Sequence, residues 1–300
     1  MKTRTILLIT AAALILVGVI MCVIAFVSNG SDFRNMNTRE LVTKSYDVEE
    51  DFTDININVD TANVVFEKSA DGKCRVVCRE YADQPHEVKV DFDVLNISVK
   101  KQKNTFFYVG FDMESPEIKV YLTKDTFDKL NISTDSGDVK IADMDFGITE
   151  ITSDSGDLHL SNINTADIMM SSDTGYVDLK DVSSANSRFT TNTGDISLTN
   201  MKASDNLDIK TDTGEVSFEN VKTEKDLDIK SETGDVNLNG CDATDIRIKT
   251  DTGDVKGSLL SGKEFTASSD TGDVSVPDSS NGGICEITSD TGDINIRIQD

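Results

Sequence analysis

The chain has 300 residues, with 29 Lys and Arg against 54 Asp and Glu and a formal net charge of -25. A field of that sign repels nucleic acid and anionic lipid headgroups, which excludes nucleic-acid binding, and it favours cationic partners and metal ions. From residue 131 onward there are 34 acidic and 13 basic side chains, yet apolar residues alternate regularly along the whole chain, which acidic disordered tails lack.

The first element is Ile6 to Val27, 22 residues without a charge. As a helix this stretch measures roughly 33 Å, enough to span a hydrocarbon core of about 30 Å. A cleaved signal peptide has a shorter apolar stretch and a small-x-small site. This one runs out at Ile24-Ala25-Phe26-Val27, so residues 6–27 are expected to be a retained signal anchor. Lys2 and Arg4 lie on the short side, which predicts residues 1–5 in the cytoplasm and a single-pass protein with its C-terminal domain extracellular. Residues 28–45 read as a polar linker.

Residues 46–130 read as a divergent N-terminal β cap. Ile55 to Val59 and Thr61 to Phe66 resemble a first rung, and Val88 to Phe92, Leu95 to Val99 and Ile118 to Leu122 alternate as strands. Cys74 and Cys78, four residues apart on one strand face, are about 13 Å apart, too far for a disulfide. Together with Cys241 and Cys285, which occupy apolar repeat positions, they read as small buried hydrophobes. A zinc site is not expected, because it wants His and closer Cys spacing.

Residues 131–300 are repeats. Turn glycines stand at Gly137, Gly156, Gly175, Gly194, Gly214, Gly234, Gly253, Gly272 and Gly292, spaced 19, 19, 19, 20, 20, 19, 19 and 20 residues apart. Apolar columns fall five residues before the glycine and two, four and seven after it; the last runs Met144, Ile163, Val182, Met201, Val221, Cys241 and Leu260. Period two on both sides of a turn means short strands with one buried face. One such unit cannot bury its face alone, so the units stack. A meander of hairpins could also use the glycine. The apolar column seven residues on, after a polar break, favours a third side of a coil. The expected fold is therefore all-β: a parallel β-helix-like β-solenoid of 19–20-residue rungs, capped by residues 46–130 and preceded by one transmembrane helix. The sequence ends at Asp300, just after the ninth turn, so Arg297, Gln299 and Asp300 are expected along the terminal edge.

Rungs such as Leu227 to Leu238 and Cys285 to Ile296, following a membrane span and a divergent β region, resemble a bacterial β-strand-repeat family of unknown function labelled "putative adhesin". The likeness covers residues 46–300. Some members, the LiaG-like membrane-anchored proteins, sit beside cell-envelope stress regulators. The resemblance implies a non-catalytic surface scaffold or adhesin of the cell envelope, or else an accessory to envelope stress acting through a membrane partner. It brings no catalytic residues with it.

Two acidic columns flank the glycines. Carboxylates about 4.8 Å apart repel by roughly 1 kcal/mol per neighbour in water, and something must offset this. Backbone N–H groups of the turn are one answer. Calcium is the other, best placed in the last three rungs at Asp251, Asp254, Asp270, Asp273, Asp290 and Asp293, where the columns are unbroken. Asn192 and Tyr176 interrupt them earlier. A polysaccharide-active β-helix enzyme is a weaker reading, since regular columns do not resemble one site and His86 and His159 are the only histidines. Phe106, Phe107, Tyr108 and Phe111, which follow Lys100, Lys101 and Lys103, read as packing within the cap or, alternatively, as a partner-binding or membrane-facing loop.

Overall fold

The structure is a computed structural model that describes residues 2–28, 39–100, 114–279 and 281–299. A helix, α1 (Lys2–Ser28), precedes the β-strands. Among the described residues no helix is long and apolar enough to cross a membrane. The membrane span expected at residues 6–27 thus rests on the sequence.

The remaining strands form one sheet wound into a parallel β-solenoid. Three sides make a coil. In the coil after Gly175, the strand Val177–Ser184 turns at Asp181, a bend at Ala185 follows, and the strand Asn186–Thr193 leads to the next glycine corner. Inward positions alternate with outward ones, so each apolar column becomes a ladder. Val139, Leu158, Val177, Ile196, Val216, Val236 and Val255 are stacked in register, each at most 0% exposed. Burying each such side chain is worth about 1.5–3 kcal/mol.

The nine glycine corners share one feature. A Cβ on any of them would lie 2.0–2.3 Å from a carbonyl oxygen of the adjacent coil, at Ala62 for Gly137 and at a neighbouring corner glycine for the rest. Positive φ is a secondary reason, since it holds at Gly214, Gly234, Gly253, Gly272 and Gly292 but not at the first four corners. The corner also changes type along the coil. Gly137 and Gly156 donate their N–H to the hydroxyls of Thr134 and Ser153, whereas the amides of Gly194, Gly214 and Gly234 cross to the next coil at Thr213, Thr233 and Thr252. The hydroxyls of Thr191, Thr211, Ser231 and Thr250, which occupy the equivalent buried position, are left without a hydrogen-bond partner.

A second corner was hidden in the polar break. Asp143, Asn162, Asp181, Asn200 and Asn220 all have φ between 53° and 59°. Asp and Asn tolerate this left-handed conformation better than other side chains. Their side chains also bond from coil to coil, as Asn162 Nδ2 does to Asp143 Oδ1 at 2.7 Å and Asn200 Nδ2 to Asp181 Oδ1 at 2.8 Å. Gly240 takes the next place, with φ of 64°. One coil later the register shifts between Leu238 and Cys241, so Leu259 fills the apolar site expected for Leu260, which is 38% exposed.

The order of coils in space departs from their order in sequence at both ends. At the N-terminal end the strands are β1 (Leu41–Asp47), β2 (Asp54–Val59), β3 (Asn63–Lys68), β4 (Arg75–Tyr81), β5 (His86–Asp91), β6 (Val94–Val99), β7 (Glu117–Leu122), β8 (Thr126–Thr134) and β9 (Val139–Ser153). β2 lies between β6 and β8, and β3 between β7 and β9, all parallel. The first coil in sequence is therefore covered by the second. β1, β4 and β5 close this end with antiparallel pairings. β1 begins inside the stretch read as a linker.

At the C-terminal end, Asp245–Thr252 pairs with Ile284–Thr291, which in turn pairs with Glu264–Thr271. The corner order is Gly253, Gly292, Gly272. The expectation that the ninth turn forms the edge is thus corrected: the last coil is inserted, and Glu264–Thr271 with Val274–Ser275 forms the outer strand pair. Arg297 pairs with Ser258 on one side, while the outer strand Val274–Ser275 covers only Ile294 and Asn295 on the other. Buried Lys263 anchors the outer coil through Asp242 Oδ1 at 2.8 Å, and the Asp245 carboxylate accepts the Ile284 N–H at 2.9 Å.

These corners make a paired prediction. Gly234→Ala, whose Cβ would meet the Gly214 carbonyl, should destabilise the protein by about 3 kcal/mol or more in urea unfolding. Gly240→Asn, in the Asp/Asn column, should cost under about 1 kcal/mol.

Candidate functional site

The outer surface presents the two acidic columns, and the structure assigns the one after the glycine. Six of its eight carboxylates accept the N–H of the equivalent residue in the next coil. Asp138 Oδ1 receives the Asp157 amide at 3.0 Å, Asp157 that of Tyr176 at 2.9 Å, Asp195 that of Glu215 at 2.8 Å, and Asp235 that of Asp254 at 2.9 Å. The spatial order of the last coils is preserved, with Asp254 receiving Asp293 at 2.7 Å and Asp293 receiving Asp273 at 2.9 Å. Asn63 begins the ladder by accepting the Asp138 amide at 3.0 Å. Tyr176 offers no acceptor, and Glu215, one carbon longer, turns instead to Ser217 and Asn237. The Asp254 carboxyl is held below the usual range by Lys256 and then by the Asp293 amide.

The column before the glycine is exposed at Asp251, Asp270 and Asp290. Lys249 lies 3.8 Å from Asp251, and two coils earlier in the same column Lys210 lies 3.0 Å from Asp212. Among the described residues the six acids considered for calcium do not form a group of three with converging ligand atoms. Phe106, Phe107, Tyr108 and Phe111 lie outside the described residues. His159 is solvent-facing and sits 3.3 Å from Asp178.

The cap holds a cluster that sequence spacing did not reveal. Val76, Cys78 and Glu80 alternate onto the inner face of β4, and the turn after Tyr81 brings back His86, the first residue of β5. Lys44 on β1 is directly opposite Cys78. Glu80 is 0% exposed and His86 6%. Glu80 Oε2 accepts the His86 N–H at 2.5 Å and lies 2.9 Å from Nδ1, while Oε1 is 2.6 Å from Lys44 Nζ. Burial opposes ionisation of Glu80, but the contacts with Lys44 and His86 outweigh it and hold the carboxyl below its ordinary value. Tyr46 fixes the turn by donating to the His86 carbonyl at 3.1 Å.

Cys78, Glu80 and His86 bring their donor atoms within 4.8 Å of one another. The only sequence signal was the alternation that placed Cys78 inward. The return of His86 depends on a hairpin-like turn that no repeat announces. Burial pushes the Cys78 and Cys285 thiols up to about 12 and those of Cys74 and Cys241 to about 11.

The amide ladder separates its own role from calcium binding. Asp235→Asn keeps the acceptor and should change stability by less than about 0.5 kcal/mol, whereas Asp235→Ala should cost about 1 kcal/mol. Calcium should raise the melting temperature no more than a control of matched ionic strength. A larger rise that Asp254→Asn abolishes would assign these acids to the cation.

No curated protein sequence matches the chain. Among solved structures, a protein from Parabacteroides distasonis ATCC 8503 named a "putative adhesin" is similar over 87% of this chain and 98% of its own, at 12% identity and a TM-score of 0.51. One from Bacteroides fragilis NCTC 9343 with the same name covers 87% and 98%, at 17% identity and a TM-score of 0.42. At such identity the first of these speaks for the fold alone. The family model described as Toastrack DUF4097 matches residues 52–239 and 201–300, which takes in the cap, the coils and the inserted last rung. The chain belongs to the Toastrack DUF4097 family.

Proposed function

We propose that the protein is a non-catalytic binding scaffold of the cell envelope, held to the membrane by α1 with the solenoid outside. The observation that carries this reading is the repetition of the outer surface. The two columns beside the glycine corners offer a carboxylate at every coil but one each, so a ligand that repeats along the axis meets many equivalent weak contacts, and such contacts multiply. An active site instead needs unlike groups converging in a pocket.

Two features support the membrane anchor. The 22 residues from Ile6 to Val27 carry no charge. In α1 the apolar side chains of Leu14, Ile15, Leu16, Val19, Ile20 and Ile24 are 48–68% exposed, and a helix apolar all round needs a nonpolar surrounding. Lys2 and Arg4 favour a cytoplasmic N-terminus. The adhesin names of the similar structures agree with the scaffold reading.

Full-length protein should sediment with membranes after alkaline carbonate extraction, and Ile15→Asp with Val19→Asp should move it to the soluble fraction. The detergent-solubilised protein should retain envelope or host-surface polymers on a column, with no new reducing ends. Stoichiometric capture of a membrane sensor or transporter subunit without polymer would replace the scaffold with an accessory to envelope stress. Release of sugar would replace it with a polysaccharide-active enzyme.

A further inference from the structure

We propose that Cys78, Glu80 and His86 form a binding site for a zinc-like divalent cation in the N-terminal cap, with Lys44 occupying the cation's place when the metal is absent. Three observations carry this. The first is the donor set: one thiol sulfur, one carboxylate oxygen and one imidazole nitrogen, each at most 6% exposed, converge from β4 and the start of β5. This mixture suits a borderline-soft ion such as zinc, and the sulfur disfavours calcium and magnesium.

The second is distance. Tetrahedral zinc ligands at their usual bond lengths are roughly 3.3–3.6 Å apart. The three donors already lie within 4.8 Å of one another, so small side-chain rotations would close the site.

The third is charge. In the structure the buried Glu80 carboxylate is balanced by the Lys44 ammonium at 2.6 Å. When a divalent cation binds, the Cys78 S–H bond breaks and its proton leaves to solvent as the metal–sulfur bond forms. Thiolate and carboxylate then balance the ion, and Lys44, whose side chain is 45% exposed, can swing out into water. The buried site is neutral in both states, so neither leaves an uncompensated charge inside the cap. The chain's net charge of -25 further draws cations towards it.

Cobalt is the probe, added to the purified full-length protein in detergent after treatment with chelator. One equivalent should give tetrahedral visible bands and a thiolate-to-cobalt charge-transfer band in the near ultraviolet, both erased by zinc. Cys78→Ser should lose the charge-transfer band and His86→Ala should weaken binding, whereas Cys285→Ser should behave as the parent. Lys44→Met removes the competing ammonium and should tighten cobalt binding by about tenfold, a gain that misfolding cannot produce. The proposal is overturned if no thiolate-to-cobalt band forms, if the band survives Cys78→Ser, or if Lys44→Met leaves affinity unchanged or weaker.

Discussion

At every glycine corner two backbones meet at a distance that a side chain cannot enter. The would-be Cβ positions, 2.0–2.3 Å from the neighbouring carbonyl, mean that the coils can stack at this column only while it stays glycine. Everything else follows the register set there. The Val, Leu and Ile ladders stay buried because each coil repeats the phase of the last, and a one-residue slip would turn each strand's core face outward. The Asp/Asn corner aligns for the same reason. So does the carboxylate-to-amide ladder, which needs each acid directly beneath the next N–H.

The same alignment creates the main cost of the architecture, which is like charge stacked at strand spacing. It is offset locally. Backbone amides take one column, and basic residues are interleaved with the other acids, as Lys249 is with Asp251 and Arg247 is among Asp226, Asp228 and Asp245. The surface that results is acidic and periodic, while the cap is where irregular chemistry collects. Its antiparallel strands can bring unlike residues together, as they do Lys44, Cys78, Glu80 and His86, whereas parallel coils stack like upon like.

This difference explains what could be read from the sequence. The period, the glycine column and the inward positions such as Val177 and Ile229 were legible because each recurs at a fixed spacing. The corner at Asn162 and Asn200 was not, since Asp and Asn are common at many polar positions and only the left-handed φ distinguishes these. The bulge that puts Leu259 in place of Leu260 arises from a coil one residue short, which a glycine count does not localise. The coil order Gly253, Gly292, Gly272 was invisible for a deeper reason: near-identical rungs fit beside one another in either order, and the choice falls to particular contacts such as Lys263 with Asp242. The cap cluster was missed because His86 reaches Glu80 through a turn rather than through any recurring spacing.

Cross-linking of paired cysteines tests the stacking most directly, because sequential and inserted coil orders place different residues side by side. Lys249 is paired with Thr288, and Thr288 with Ser268. In the inserted order Lys249→Cys with Thr288→Cys should form a disulfide under mild oxidation, since parallel neighbours fall within the Cα range of about 4.4–6.8 Å that the bond requires. Lys249→Cys with Ser268→Cys should not. Efficient cross-linking of the second pair, and none of the first, would contradict the account.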